Sequence, residues 1–595
     1  MREYSTPLNV EIPVTGNLTD DVVANAVEAP DAVVFVRRTG GGWDEVTAAA
    51  FLTEVRAVSR GFIAAGIRGG DRVALISKTR YEWTLVDYAI WFAGAVTVPI
   101  YETSSAEQIE WILSDSGARA VVAEGHVHTA RIAERRSVLS ELNHVWSLED
   151  NAIEVLRRLG ADISDDELES RRTTATPLDL ATVIYTSGTT GRPKGCLLTH
   201  GNFMFEVGVA VPELHQLFEP DDASTLLFLP LAHVFARIIQ VGAVRARVRL
   251  GHSADIKNLL PDLAQFQPTF VLAVPRVFEK IFNTASQRAT AEGRGGIFDR
   301  AAETAIAYSR ALDRGKVPLR VRARHALFSR LVYARLRGAL GGSCVYAVSG
   351  GAPLGDRLGH FYRGIGLSVL EGYGLTETSA ALTVNRPDAL KVGSVGQPLP
   401  GTEVRVADDG ELHFRGGQVF AGYWANEPAT AEVLERDGWF HTGDIGEIDE
   451  EGYVRITGRK KEILVTAGGK NVAPSALEDR VRANALVSQC LVVGDGQPFI
   501  AALVTIDPDA FPDWASAHGK AGDLSALVDD LDLRADVQTA IDDANAAVSR
   551  AESIRKFAIL PDDWTEEGGQ LTPSLKLKRN VVVRERKDDI AALFG

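Results

Sequence analysis

Tyr185-Thr186-Ser187-Gly188-Thr189-Thr190-Gly191-Arg192-Pro193-Lys194-Gly195 follows the β-branched run Thr182-Val183-Ile184, so the order is strand, then a loop of hydroxyls and glycines, then a cation. Glycines let backbone N–H groups turn toward anionic oxygens, the hydroxyls add donors, and Lys194 supplies a point charge for a polyphosphate. This is not a Walker loop. The GxxxxGK[ST] spacing fails, and Cys196-Leu197-Leu198 predicts a second strand rather than a phosphate-capping helix. A flexible hairpin with a solvated lysine is the plainer alternative, but the length and idiosyncrasy of the string favour phosphate binding.

Outward from the loop, the chain alternates short apolar strands with helical spacing. Phe51, Val55, Val58 and Phe62 mark one helix face, Val73 to Ile76 a strand, and an apolar helix ends near Gly94. Further strands are expected at 120–123, 226–229, 270–274 and 344–348, which predicts α/β architecture with layered sheets and helices. Between Glu403 and Tyr453 short strands turn at Asp408-Asp409-Gly410 and Asp449-Glu450-Glu451-Gly452. A shorter α+β pattern follows Thr457-Gly458-Arg459-Lys460-Lys461. This predicts a large N-terminal domain over 1–460 and a small, mobile α+β domain over 461–595.

Composition narrows the chemistry. The 595 residues are 45% hydrophobic and 24% charged, and 63 Lys and Arg against 79 Asp and Glu give a net charge of −16. A general nucleic-acid surface is not expected on such a chain, because neutralising phosphates needs excess cations. Cys196, Cys344 and Cys490 form no CxxC pair, so neither a disulfide framework nor a thiolate zinc site is predicted, and a cytoplasmic setting fits. Met1-Arg2-Glu3-Tyr4-Ser5 carries acid early, and the longest apolar stretch, Tyr88 to Ile100, is far short of a membrane span.

Two further loops follow apolar strands, where open α/β sheets place ligands: Ser349-Gly350-Gly351-Ala352-Pro353-Leu354 and Glu371-Gly372-Tyr373-Gly374-Leu375-Thr376-Glu377-Thr378. Glycines admit a flat base, Tyr373 can stack on it, Thr376 can donate to a phosphate, and Glu377 offers the hard oxygen that Mg²⁺ prefers. Asp437-Gly438-Trp439-Phe440-His441-Thr442-Gly443-Asp444 and Gly458-Arg459-Lys460-Lys461 complete the set, since a carboxylate such as Asp444 can accept both ribose hydroxyl protons.

Together these strings resemble the acyl-adenylate-forming superfamily and, from Asp437 to Lys461, its fatty acyl-CoA synthetases, although Gly458 stands where many members have Asp. The resemblance covers roughly Asp44 to Arg579. It implies that Gly350, Gly351, Ala352, Glu371, Gly372, Tyr373 and Gly374 hold adenine, that Thr376 meets the α-phosphate, and that Glu377 binds magnesium. Asp444 and Arg459 are the implied nucleotide contacts, and Lys461 the implied hinge. Leu571-Thr572-Pro573-Ser574-Leu575-Lys576-Leu577-Lys578-Arg579 resembles the last family motif, whose lysine serves adenylation. Alignment on Thr572 and Arg579 selects Lys576, with Lys578 the weaker candidate. Leu575 replaces the usual glycine.

By the same resemblance, Gly468, Gly469 and Lys470 face coenzyme A, and His233, Val234, Arg237, Val274 and Arg276 belong to the acyl pocket. Arg237 stands where some members have a gating tryptophan. The implied reaction joins a long-chain fatty acid to ATP as acyl-AMP, then transfers the acyl group to CoA. The alternative is a ligase that loads a carrier protein instead, and members of that branch carry an insertion that is missing between Thr378 and Gly396. A binding protein that kept only the fold would be expected to lack charges at Lys194, Glu377, Asp444, Arg459 and Lys576.

The segment Arg310 to Arg337 holds nine Lys or Arg and one acid, Asp313, with Leu319, Ala323, Leu327, Leu331 and Ala334 at helical spacing. A basic amphipathic helix can lie on anionic lipid, which would add peripheral membrane contact to the partners. The simpler expectation is a surface helix packed on its apolar side. A homodimer is a further open expectation.

Overall fold

In a computed structural model of the chain, all residues are described except 41, 187–191, 256–257 and 573–574. Among the described residues, two large sheets enclose buried helices. The first runs in the order 422–423, 194–199, 180–186, 96–100, 72–76, 120–123, 144–147. Its strands Val96–Ile100, Arg72–Ile76, Ala120–Ala123 and His144–Ser147 pair in parallel, whereas Lys194–Thr199 returns antiparallel to Leu180–Thr186, as a strand–loop–strand reading requires. The second sheet centres on parallel strands 368–373, 346–349, 270–273, 224–227 and 249–252. A five-stranded antiparallel sheet, 3–6, 402–406, 411–415, 440–448, 454–459, lies beyond it.

The helix Ala48–Ala64 buries Phe51, Val55, Val58 and Phe62, the stripe its spacing predicts, and Thr47 caps it by accepting from the Ala50 N–H. Tyr81–Phe92 differs: almost every side chain in it is buried, because the helix runs through the core with apolar residues on all sides. Running through the core, it carries Asp87, and the facing helix Val234–Arg245 answers with Arg237. Both side chains are 0% exposed. Arg237 donates to Asp87 Oδ2 at 3.0 Å and to Thr182 Oγ1 at 2.6 Å, while Thr97 donates to Asp87 Oδ1 at 2.7 Å. The guanidinium lies 5.0 Å from the Trp91 ring and 5.5 Å from the Trp83 ring. The pair therefore ties two helices to two strands.

This overturns the placement of Arg237 in the acyl pocket. A fully buried guanidinium must satisfy its donors inside the protein, and it does so in the core, away from the cavity that His233 and Val234 border.

The basic segment also departs from expectation. It is not one helix but Gly295–Asp313, Leu319–Phe328, a π-helical turn at Ser329–Tyr333 and Ala334–Ala339. Its expected apolar stripe faces outward, with Leu319, Leu327 and Leu331 at 81%, 57% and 54% exposure. Other groups hold it down. His325 stacks on Tyr308 with ring centres 3.8 Å apart, and Tyr333 OH donates to Ala301 O at 2.7 Å.

After Lys460 the chain builds a smaller α+β unit: a hairpin, 464–465 with 471–472, and strands Val487–Val493, Ile500–Ile506 and Ile554–Leu560, with helices Pro474–Arg482 and Leu531–Asn545 packed against them. It rests on the larger part through charged contacts. Lys280 donates to Asp509 at 3.0 Å, Arg276 to Ser488 Oγ at 3.2 Å, and Arg357 to Ala483 O at 3.0 Å.

Candidate functional site

A cavity of about 2910 Å³ opens where the two large sheets, the antiparallel sheet and the C-terminal unit meet. Thr186, Lys194, Gly350, Gly351, Ala352, Glu371, Gly372, Tyr373, Gly374, Thr376, Glu377, Asp444, Arg459, Lys461 and Lys576 all border it. Residues far apart in sequence are thus gathered around one cavity, with 350–352 and 374–377 at the carboxyl ends of the parallel strands 346–349 and 368–373, where open sheets leave a crevice. Ser187, Gly188, Thr189, Thr190 and Gly191 lie outside the described residues. The loop's exit is pinned by Trp111, whose Nε1 donates to Pro193 O at 3.0 Å and whose ring carries the Arg192 guanidinium at 4.6 Å.

Close approach explains one glycine here. A β-carbon on Gly374 would lie 1.4 Å from Ala380 O, so no other residue fits the turn that presents Thr376 and Glu377. Glu371, at the root of this loop, is 8% exposed and accepts from the Leu354 N–H at 2.9 Å. Burial pushes its carboxyl up to about 7 despite that hydrogen bond.

Asp444 and Arg459 stand opposite each other across the strands Phe440–Ile448 and Val454–Arg459. Arg459 Nε donates to Asp444 Oδ1 at 2.8 Å, and Tyr373 OH donates to Oδ2 at 2.6 Å. Burial alone would lower the guanidinium's affinity for its proton, but the adjacent carboxylate more than reverses this. The ring of Tyr373 is thereby fixed by its own hydroxyl, and Asp444, 5% exposed, keeps lone pairs for further donors.

Sequence reasoning missed Tyr423. The short strand Gly422–Tyr423 pairs with Lys194–Thr199, which carries the phenol to the loop's closing lysine. Lys194 Nζ lies 4.9 Å from the Tyr423 ring centre, and Tyr423 OH donates to Glu377 Oε1 at 2.8 Å. One side chain positions both the cation and the carboxylate. The adjacent aromatics Tyr423-Trp424 in a glycine-containing stretch were the available signal, but no spacing tied them to Lys194. For a divalent metal, Glu377 fits the donor chemistry of Mg²⁺, which takes one or two carboxylates together with phosphate oxygens and water.

Lys576 reaches the same centre from the C-terminal unit. A β-carbon placed on Gly351, whose φ is +83°, would lie 3.5 Å from Lys576 Cε and 3.7 Å from Nζ. The surrounding protein lowers the ammonium's pKa, Arg459 pushes the same way, and Asp444 and Glu462 oppose. Lys578 borders the cavity as well, but Lys576 is the lysine set against Gly351. Its loop closes on itself: Thr572 N–H donates to Lys576 O and Leu575 N–H to Thr572 O, each at 2.8 Å. Leu575 adopts φ +60°, the left-handed region that suits the glycine it replaces, and it packs against the cluster of Leu571, Leu560 and Trp564.

His233 caps the Val234–Arg245 helix, its Nδ1 accepting from the Phe235 N–H at 3.2 Å; burial first and Lys576 second push its imidazole down to about 3. It is therefore neutral near pH 7. Val234 and Val274 border the cavity, as do Val207, Ala210, Val211, Leu214, Ile238 and Ile239, which form an apolar arm between the helices His200–Glu213 and Val234–Arg245. Arg276 also borders it, but its guanidinium is spent on Ser488 and, at 3.4 Å, Glu279, at the junction with the C-terminal unit. Gly468, Gly469 and Lys470 lie in the hairpin turn outside the cavity, and Lys470 pairs with Glu552 at 3.2 Å.

The chain is similar to known proteins over its full length. It is 51% identical over 600 residues to the long-chain-fatty-acid–CoA ligase FadD15 of Mycobacterium bovis, covering 100% of both chains. It is 32% identical to the peroxisomal long chain acyl-CoA synthetase 7 of Arabidopsis thaliana, over 95% of this chain and 85% of that one. Among solved structures, the anthranilate CoA ligase AuaEII in complex with anthranoyl-AMP superposes with a TM-score of 0.74 at 18% identity, covering 98% and 99% of the two chains, which speaks to fold. The AMP-binding enzyme model matches residues 22–424 and the AMP-binding enzyme C-terminal domain matches 461–595, so the chain belongs to the AMP-binding enzymes.

Proposed function

We propose that this protein activates long-chain fatty acids with ATP and transfers them to coenzyme A. One observation carries the reading: a polar centre of Lys194, Glu377, Asp444, Arg459 and Lys576 opens into an apolar arm within a single cavity. The 51% identity to a long-chain-fatty-acid–CoA ligase over the whole chain supports it. In the first step a carboxylate oxygen attacks the α-phosphorus, the bond to the bridging oxygen breaks, and pyrophosphate leaves. Bringing a carboxylate to ATP sets anion against anion. Lys194, Lys576 and the loop amides neutralise that charge, and Thr376 donates to the α-phosphate. Glu377 would hold Mg²⁺, which supplies charge stabilisation at the phosphoryl oxygens. Asp444 accepts from the ribose hydroxyls, and Arg459 holds Asp444 in place.

In the second step the CoA sulfur attacks the acyl carbon and AMP leaves. Lys461 is the proposed hinge and Lys460/Lys461 the domain boundary. A swing about this point withdraws Lys576 and brings Gly468, Gly469 and Lys470 to the site. Their place outside the cavity while Lys576 is inside fits the adenylating half of that cycle. His233, Val234 and Val274 line the acyl entrance. The test is to supply ATP, Mg²⁺ and a pool of short to long carboxylic acids, with and without CoA, and to read products by mass spectrometry. Long-chain acyl-CoA with AMP is expected; acyl-AMP that persists after CoA is added would point to a carrier-protein ligase.

The exposed Leu319, Leu327 and Leu331 among Arg320, Arg322, Arg324 and Arg330 support peripheral contact with anionic lipid, where such substrates dissolve. No helix among the described residues is long and apolar enough to cross a membrane. Converting Arg320, Arg322 and Arg324 to Glu should abolish co-sedimentation with anionic liposomes, and unchanged binding would remove the proposal.

A further inference from the structure

The apolar arm contains a carboxyl group that the reaction does not use. Glu206, on the helix His200–Glu213, borders the cavity beside Val207 and Ala210 and is 1% exposed. Its Oε1 accepts from the Ala381 N–H at 3.0 Å, which ties it to the segment that presents Thr376 and Glu377 and so to the head-group side of the arm. Its Oε2 has no hydrogen-bond partner.

Among the described residues no cationic side chain pairs with Glu206, and a lone buried carboxylate beside one backbone N–H is strongly disfavoured. Burial accordingly holds its pKa well above the usual carboxylate range. Burial favours the protonated form, and because Oε1 already accepts from the Ala381 N–H, Oε2 is the oxygen that carries its proton. The wall of an otherwise apolar passage thus carries an O–H donor with nothing to donate to. Buried donors of that kind are rare in folded proteins, because each forfeits the hydrogen bonds water would give it. A leucine would line the passage at lower cost for a plain alkyl chain.

We propose that Glu206 determines specificity for fatty acids bearing an oxygen substituent, a hydroxyl or a carbonyl, on the stretch of chain that passes it, the substituent accepting from Oε2. This inference rests on the reading of the apolar arm as the acyl tunnel. A site built to hydrogen-bond a substrate oxygen discriminates strongly against the analogue lacking it, whereas an apolar pocket only weakly rejects an added hydroxyl.

The test compares kcat/KM for a saturated long-chain acid with a series of the same length bearing one hydroxyl at successive carbons. It uses the full-length wild type, Glu206→Leu and Glu206→Gln. In the wild type one hydroxyl position is expected to stand out as favoured. In Glu206→Leu that advantage should fall by roughly 10- to 100-fold while the unsubstituted acid reacts as well or better, and Glu206→Gln, whose amide still donates, should keep most of it. A wild-type profile in which no position stands out would overturn the proposal without recourse to any variant. The same profile in Glu206→Leu as in the wild type would also overturn it. If the wild type makes no acyl-CoA from the unsubstituted acid, the tunnel reading itself fails, an outcome distinct from both.

Discussion

Tyr423 donates its phenolic proton to Glu377 over 2.8 Å while its ring centre lies 4.9 Å from the Lys194 ammonium. Tyr423→Phe keeps the ring and the backbone pairing with Cys196 but leaves the carboxylate free to turn. A hydrogen bond to a charged group contributes about 1.5–3 kcal/mol, so a roughly tenfold or larger rise in the Mg²⁺ and ATP concentrations needed for half-maximal adenylation is expected, with little change in Tm. Initial rates across a Mg²⁺ titration check this; identical curves would show that Tyr423 only supports the fold.

Lys576 lies against Gly351, 225 positions earlier in the chain, because the C-terminal unit delivers the lysine into the cavity beside the loop 349–354. Lys576→Ala should lower acyl-AMP formation by about 10²–10³-fold, the usual loss on removing one donor from a centre of developing charge. Preformed acyl-AMP should still react with CoA at close to the wild-type rate, since the proposed cycle turns another face of the small domain to the site for that step. Equal losses in both half-reactions would contradict a two-conformation cycle.

How much of the molecule was legible in its sequence depended on whether a local pattern or a distant contact set each residue. The strand 120–123 was legible as a short apolar run, and the stripe Phe51, Val55, Val58, Phe62 by its helical period. Asp444 and Arg459, which face each other on the strands 440–448 and 454–459, and Lys576, all three bordering one cavity, were named through motifs that resemble a known family. Tyr423 was not, since it reaches Glu377 through a two-residue strand whose pairing is non-local. Arg237 was misread for the opposite reason. Its segment resembled an acyl pocket, but the partner that claims its charge, Asp87, is 150 residues earlier, and single-sequence spacing contains no trace of such a contact. The stripe from Leu319 to Ala334 has helical period, and period alone does not say which side faces the core.

Replacing Arg237 separates these readings directly. Arg237→Met leaves Asp87 buried without its counter-charge, and breaking such a pair costs about 3–5 kcal/mol. Urea unfolding should show that loss, and Asp87→Leu in the same chain should restore much of it, because the uncompensated charge is then gone. The folded fraction of either variant should keep the wild-type preference among acyl chain lengths. A changed preference would return Arg237 to the acyl pocket.

Glu371 gives the site a pH signature in stability. Its carboxyl moves from an ordinary value of 4.5 to about 7 in the folded protein, with burial the leading cause. Between these two values the native state holds a proton that the unfolded chain has released, so stability falls as pH rises through this window. The loss is complete above pH 7, absent below 4.5, and amounts to at most about 3 kcal/mol. Glu371→Gln cannot ionise, and its amide oxygen can still accept from the Leu354 N–H. Relative to wild type, the variant should therefore be more stable at pH 8 than at pH 5, by an amount approaching that figure. Urea unfolding of both proteins at the two pH values measures the difference, and a gap that does not change with pH would mean that Glu371 is ionised in the folded state throughout.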